Sequence, residues 1–229
     1  MTGDAGRPAD SPRFADSTSP PFTGVVLAGG HSRRFGETNK AVAVVDGDTY
    51  VQRAVRTVRA VADDSPLVAV KDDDQRATVE AGLESAADAR FAFDATSFGG
   101  PLSGLYGSLS AVHTEWLFLT GCDMPRLRPA AIAWLANRLR TTRSPPDALV
   151  PVHPDGGREP LHAFYRRDAV ADARSRLRPD DGLQTLLDAL SAPTTVPIPA
   201  APSDVSLATS VENVNTKREH RRVRHTVER

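Results

Sequence analysis

Cysteine is almost absent: the 229-residue chain has one, Cys122. A single thiol forms neither an intrachain disulfide nor a cysteine zinc cluster, so a reducing, cytoplasmic setting fits. Charge of one sign is not in excess. The formal net charge is -1, so the overall balance does not call for nucleic acid as a partner. Long apolar runs are missing, and none approaches the roughly 20 residues a membrane helix needs. The N-terminus is polar and lacks an apolar signal core, so secretion is not expected. Lysine is scarce, with three among the 28 basic residues, a bias that suits a GC-rich genome. Hydrophobic residues make up 40% of the chain, enough for one α/β domain with a sizeable core.

Residues 1–21 repeat Pro, Ser, Asp and Gly without a period and are expected to be a disordered lead-in. From Thr23 onward, apolar runs alternate with helical patterns, the mark of βα units around a mainly parallel sheet. Strands are expected at Gly24–Ala28, Leu67–Val70, Arg90–Phe93, Trp116–Thr120, Ala148–Val152 and Leu161–Tyr165. Helices are expected after Thr49, over Gln75–Ser85, from Gly99 to about His113, over Ala130–Arg140, and near Arg167–Leu177 and Gly182–Leu190. A Pro-rich connection then leads to Val211–Thr216, and a basic tail over 218–229 closes the chain. One domain over 22–217 follows.

The chemistry concentrates at strand ends. Val25–Ala28 runs into Gly29-Gly30, then Arg33-Arg34-Phe35-Gly36 and Lys40. Glycines let main-chain N–H groups approach an anion closely, and the cations neutralise it. Two further strands end at Asp94 and Asp123. In an open α/β sheet, ligands bind beyond the carboxyl ends of the strands, so these three ends can converge on one crevice. A glycine-and-cation loop with two aspartates suits a magnesium-dependent nucleotide site, because a hard cation shares its shell between carboxylate and phosphate oxygens. Lys40 lacks Walker A spacing and is followed by Ala41, and no Gly-x-Gly-x-x-Gly follows the first strand, so neither standard phosphate motif applies. For Asp123 the plainer alternative is a carboxylate at a helix N-terminus. For Asp94 it is a turn or cap. Cys122 reads as a small buried hydrophobe, and His113, His153 and His162 as structural or surface residues.

Leu27-Ala28-Gly29-Gly30-x-Ser32-x-Arg34-Phe35-Gly36-x-x-x-Lys40 resembles the signature of the MobA-type molybdenum cofactor guanylyltransferases. Gly100-Pro101-Leu102-x-Gly104, Cys122-Asp123-Met124-Pro125 and Asn213-Val214-Asn215-Thr216 extend the resemblance over roughly residues 23–217. It implies a Rossmann-like three-layer α/β/α nucleotidyltransferase fold. It also implies a reaction in which the terminal phosphate of molybdopterin attacks the α-phosphorus of GTP and pyrophosphate leaves. By the same resemblance, main-chain groups of Leu27, Ala28, Gly29 and Gly30 hold the nucleotide. Lys40 pairs with its phosphates, Asp94 contacts it, Gly100–Gly104 passes near the base or ribose, and Asp123 binds Mg²⁺. Asn213 and Asn215 face the acceptor, and molybdoenzyme maturation proteins are candidate partners. Arg34 is added on charge grounds as a triphosphate neutraliser. The chain departs from the pattern after the second strand, where Lys71-Asp72-Asp73-Asp74 stands in place of an expected asparagine. A cytidylyl relative, a transferase acting on another phosphorylated acceptor and a non-catalytic nucleotide-binding adaptor are the alternatives. Gly29-Gly30 favours the guanylyl branch, since cytidylyl relatives tend to carry Ala-Gly there.

Overall fold

The computed structural model of the chain describes residues 19–29, 40–83, 88–142 and 144–214. The lead-in lies outside these apart from its last residues, and the basic tail, Gly30, Arg34 and Asn215 lie outside altogether.

Strand β1 (Phe22–Leu27) sits inside a seven-stranded sheet. On one side it pairs in parallel with β4 (Leu67–Val70), which pairs in parallel with β5 (Arg90–Phe93). On the other side it pairs in parallel with β6 (Trp116–Gly121). A further set continues past β6. There β8 (His162–Arg166) runs antiparallel to both β6 and β7 (Ala148–Val152), and β7 is parallel to β9 (Pro193–Pro197) at the edge. The order is β5-β4-β1-β6-β8-β7-β9.

Side chains alternate across a strand, so the apolar residues that β1 and β6 place on both faces demand cover on both sides. Val26, Trp116 and Phe118 pack beneath α1 (Tyr50–Arg59), α2 (Asp73–Gly82) and α4 (Pro129–Thr141). Val25, Leu117 and Leu119 pack beneath α3 (Gly100–Ser108), α5 (Arg167–Ala173) and α6 (Leu183–Ala189). Helix α1 starts where Thr49 and Gln52 form a reciprocal capping box, and it buries Val51, Ala54, Val55 and Val58. At Gly24 a side chain would collide with Val58, so this glycine sets how closely α1 approaches β1. Proline in the first turn starts both α3 and α4.

Several expectations are corrected. The Pro-rich connection contains β9. Thr194, Thr195 and Val196 favour extended backbone, and a strand bracketed by prolines is tolerated at a sheet edge, where one row of N–H groups is not needed. A small hairpin, β2 (Val44–Val45) with β3 (Asp48–Thr49), precedes α1. It turns at Asp46-Gly47, both at positive φ, the Asp-Gly signal of a tight hairpin. The expected long helices after Gly99 and Arg167 end early and tighten into 3-10 turns at Leu109–Ala111 and Arg174–Arg176. Helix α2 begins at Asp73 because Asp72 accepts the Gln75 N–H at 2.8 Å and caps it. The last short helix, α7 (Leu207–Ser210), leads into the 211–214 segment. Among the described residues no helix is long and apolar enough to cross a membrane.

Candidate active site

The chain leaves β1 toward β4 but, after β5, crosses to β6 on the other side of β1. The carboxyl ends of β1 and β6 therefore flank a topological switch point, the place where open α/β sheets form a crevice. The ladder runs one residue past each strand. Ala28 N–H donates to Ala69 at 3.0 Å, Asp94 N–H to Val70 at 2.9 Å and Cys122 N–H to Leu27 at 3.1 Å. These bonds hold Ala28, Asp94 and Cys122 level, with Gly29 and Asp123 just beyond.

Lys40 opens a 3-10 turn, and its Nζ lies 3.1 Å from Asp123 Oδ2. The side chains keep only 12% and 24% of their exposure, so the pair is well shielded. Asp123 Oδ1 is buried with no hydrogen-bond partner among the described residues. The carboxylate lies against Gly121, where a side chain would clash with it.

Asp94 stands at the end of β5 on the other flank of β1. A Cβ at Gly29 would lie 2.9 Å from Asp94 Oδ2, so glycine is what permits this approach. A Cβ at Gly104 would sit 2.7 Å from Leu27 Cδ2 and 3.3 Å from Asp94 Oδ1. The Ser103 hydroxyl lies 2.6 Å from the Gly100 carbonyl and 3.1 Å from Asp94 Oδ2, and it donates to one at a time. Asp94 Oδ1 is buried without a partner among the described residues. Burial pushes the Asp94 carboxyl above the ordinary carboxylate range, Ser103 opposes the shift, and the Asp72 charge adds to it.

The sheet thus brings Gly29, Lys40, Asp94 and Asp123, distant in sequence, to one edge. Gly100 begins α3 at φ 58°, and Leu27 and Ala28 close β1. Asn213 reaches the same edge, because Val214 N–H, its neighbour, donates to the Asp123 carbonyl at 2.8 Å. Gly30, Arg34 and Asn215 lie outside the described residues. Cys122 is buried and its thiol is pushed up to about 12 by that burial, which makes it an inert packing residue.

Sequence reasoning did not anticipate Gln75, which donates to the Ala28 carbonyl at 3.0 Å and accepts from Lys71 N–H at 2.7 Å. It also missed Tyr50, packed with Val45 and Val214, whose phenol is raised by burial and by the Asp123 charge. Neither carries a sequence signal beyond a helical spacing. Among the described residues no group of three or more His, Cys, Asp or Glu side chains could hold a metal alone. A magnesium-sized cation does not need one, because it is commonly held by one or two carboxylates with the shell completed by phosphates and water. An orphaned carboxylate oxygen at Asp123 fits that donor set.

An open, mainly parallel sheet covered on both faces, with its polar groups gathered at the carboxyl ends, defines a Rossmann-like nucleotide-binding α/β protein. The model of the MobA-like NTP transferase domain matches residues 24–194. A protein of Natronomonas pharaonis named "Probable molybdenum cofactor guanylyltransferase" is 37% identical over 151 residues, 66% of this chain and 71% of that protein. The crystal structure of molybdopterin-guanine dinucleotide biosynthesis protein A from Archaeoglobus fulgidus superposes with a TM-score of 0.73 at 22% identity, over 90% of this chain and 98% of that one. A Mycobacterium tuberculosis protein solved in complex with manganese has a TM-score of 0.60 at 20% identity, over 89% and 97% of the two chains. The chain belongs to the MobA-like NTP transferase family and is a nucleotidyltransferase.

Proposed function

We propose that this chain transfers GMP from GTP to the terminal phosphate of molybdopterin, making the guanine dinucleotide form of the cofactor. An acceptor phosphate oxygen bonds to the α-phosphorus, the bond from that phosphorus to the α,β-bridging oxygen breaks, and pyrophosphate departs with the electron pair. The reading is carried by one observation within a chain of this family: the Lys40–Asp123 pair at the β1/β6 crevice, with a carboxylate oxygen left over.

Little covalent chemistry falls to the protein in such a transfer, so positioning and charge stabilisation dominate. Lys40 pairs with the triphosphate, and Arg34 adds a second cation. Ala28 N–H is committed to Ala69, so Leu27 and Ala28 shape the turn while Gly29 and Gly30 provide the close main-chain approach. Asp94 accepts from base or ribose donors of the nucleotide, and Gly100 lets the chain run close to it. Asp123 holds the divalent cation, Mg²⁺, which when bound supplies charge neutralisation to the phosphates and leaving group. Asn213 and Asn215 serve the acceptor. The domain spans 22–217 and works in the cytoplasm, where maturation proteins of molybdoenzymes receive its product.

The test is pyrophosphate release with molybdopterin and Mg²⁺, comparing GTP with CTP. Turnover with GTP at least tenfold above CTP is expected. A clear preference for CTP would overturn the assignment of the base.

A further inference from the structure

The loop Cys122–Arg128, which joins β6 to α4 and carries Asp123, is gripped from one direction by the segment 210–214. Ser210 Oγ accepts the Arg128 N–H at 3.0 Å, at the very start of α4, where no side chain of the helix itself caps the end. Glu212 pairs with Arg126 at 3.1 Å. Val214 N–H donates to the Asp123 carbonyl at 2.8 Å, and the Val214 side chain is buried against Val45 and Tyr50.

Ser210 itself is fully buried and lies 2.8 Å from Nε2 of His162, also fully buried, on the strand that pairs with β6. Burial drives the His162 imidazole down to about 4, so it meets the hydroxyl as a neutral ring. One hydroxyl therefore ties three bodies together: the sheet through His162, the Asp123 loop through Arg128, and the C-terminal segment that carries it.

We propose that Ser210 is a positioning residue for Asp123, anchoring the C-terminal segment as a clasp that fixes the carboxylate for its cation. The inference rests on the reading of Asp123 as the metal ligand. A cation ligand must be held to within about 0.5 Å of its working geometry, and groups behind a ligand commonly tune metal affinity 10–100-fold. The clasp acts on the loop that presents Asp123, whereas main-chain contacts at Gly29 and the Lys40 ammonium come from elsewhere. Loss of the clasp should weaken the metal-dependent part of nucleotide binding and spare the rest.

The experiment is calorimetric titration of the full chain with GTP, with and without Mg²⁺, the readout being the ratio of the two affinities. Ser210→Ala should cut that ratio about tenfold, with metal-free GTP affinity within about twofold of the parent chain. Ser210→Thr, which keeps the hydroxyl, should restore it. Ser210→Cys fills the same space with a weaker acceptor and should give an intermediate ratio, which decides the matter if the alanine variant does not fold. Asp147→Asn, a buried change remote from the loop, is the control for general destabilisation and should leave the ratio unchanged. Asp123→Asn should abolish the Mg²⁺-dependent gain. If Asp123→Asn abolishes it while the alanine and cysteine variants keep the full ratio, the clasp is refuted and the site reading survives. If Asp123→Asn keeps the gain, both fall.

Discussion

Two shielded aspartates, one in each half of the sheet, are treated in opposite ways. Asp147, which leads into β7, has both oxygens occupied. Arg166 bonds one, and the N–H groups of Ser191 and Ala192 bond the other at 2.9 and 3.0 Å. Burial alone would raise its carboxyl, but those donors and the guanidinium charge carry it below the ordinary range. Asp94, on the other side of β1, has one oxygen near Ser103 and one with no partner among the described residues, and its carboxyl is raised. Asp123 likewise has one oxygen of its own with no partner among the described residues. A carboxylate whose donors come from the fold stabilises the fold. A carboxylate left short of donors costs stability and keeps capacity for a ligand. The parallel half β5-β4-β1-β6 keeps that capacity at the carboxyl ends of β5 and β6, whereas at Asp147, beyond β6, the fold takes up both carboxylate oxygens.

Substitutions at these carboxylates and at Lys40 should separate the two treatments. Asp123→Ala is expected to lower Mg²⁺-dependent pyrophosphate release by about 10²–10³-fold or more, with circular dichroism and melting close to the parent. Retained turnover would remove Asp123 from the chemistry, whereas a parent chain that binds GTP without ever releasing pyrophosphate would favour the adaptor alternative. Lys40→Met should cost about 10²-fold in turnover. It should also tighten Mn²⁺ binding to the nucleotide-free protein, read by electron paramagnetic resonance, because the ammonium no longer competes for Asp123. Looser Mn²⁺ binding would contradict the idea that the two groups hold each other in the absence of substrate.

Asp94→Asn should weaken GTP binding about tenfold, near 1.4 kcal/mol, yet leave the melting temperature equal or higher, since the amide removes a half-buried charge without adequate donors. Asp147→Asn should do the reverse. GTP affinity stays put while stability falls by about 1–3 kcal/mol, measured by urea unfolding. The sign of its pH dependence follows. The folded-state pKa of Asp147 is lowered, so its stabilisation is complete above the unfolded value of about 3.9 and fades as pH falls through the folded value. The asparagine variant should therefore show a flatter acid limb than the parent. Equal acid limbs would mean that Arg166 and the two N–H groups contribute nothing net.

The same contrast explains what the sequence disclosed. The ends of strands β4, β5 and β7 were legible to the residue because apolar runs stop at Lys71, Asp94 and His153. The convergence of Gly29, Lys40, Asp94 and Asp123 was legible because each lies a few residues at most past an apolar strand or a glycine loop, and parallel connections bring strand ends to one edge. Strand β9 was hidden by the two prolines that its edge position tolerates. The Ser210–His162 contact was invisible because a serine near the chain's end and a histidine in a strand follow no spacing rule. They meet only when α7 folds back beside β8. In sequence Gln75 is an ordinary helical residue, and only the turn of β4 into α2 points it at the Ala28 carbonyl.

In the proposed site, Gly29, Lys40, Asp94 and Asp123 would surround one triphosphate and its cation. The most direct measurement is a crystal structure with GTP and Mn²⁺, using the anomalous signal of manganese to place the ion. The anomalous peak is expected in contact with the Asp123 carboxylate, with Lys40 moved onto a phosphate oxygen and the nucleoside beside Asp94. A peak away from Asp123, or a nucleotide bound at the opposite edge of the sheet, would contradict it.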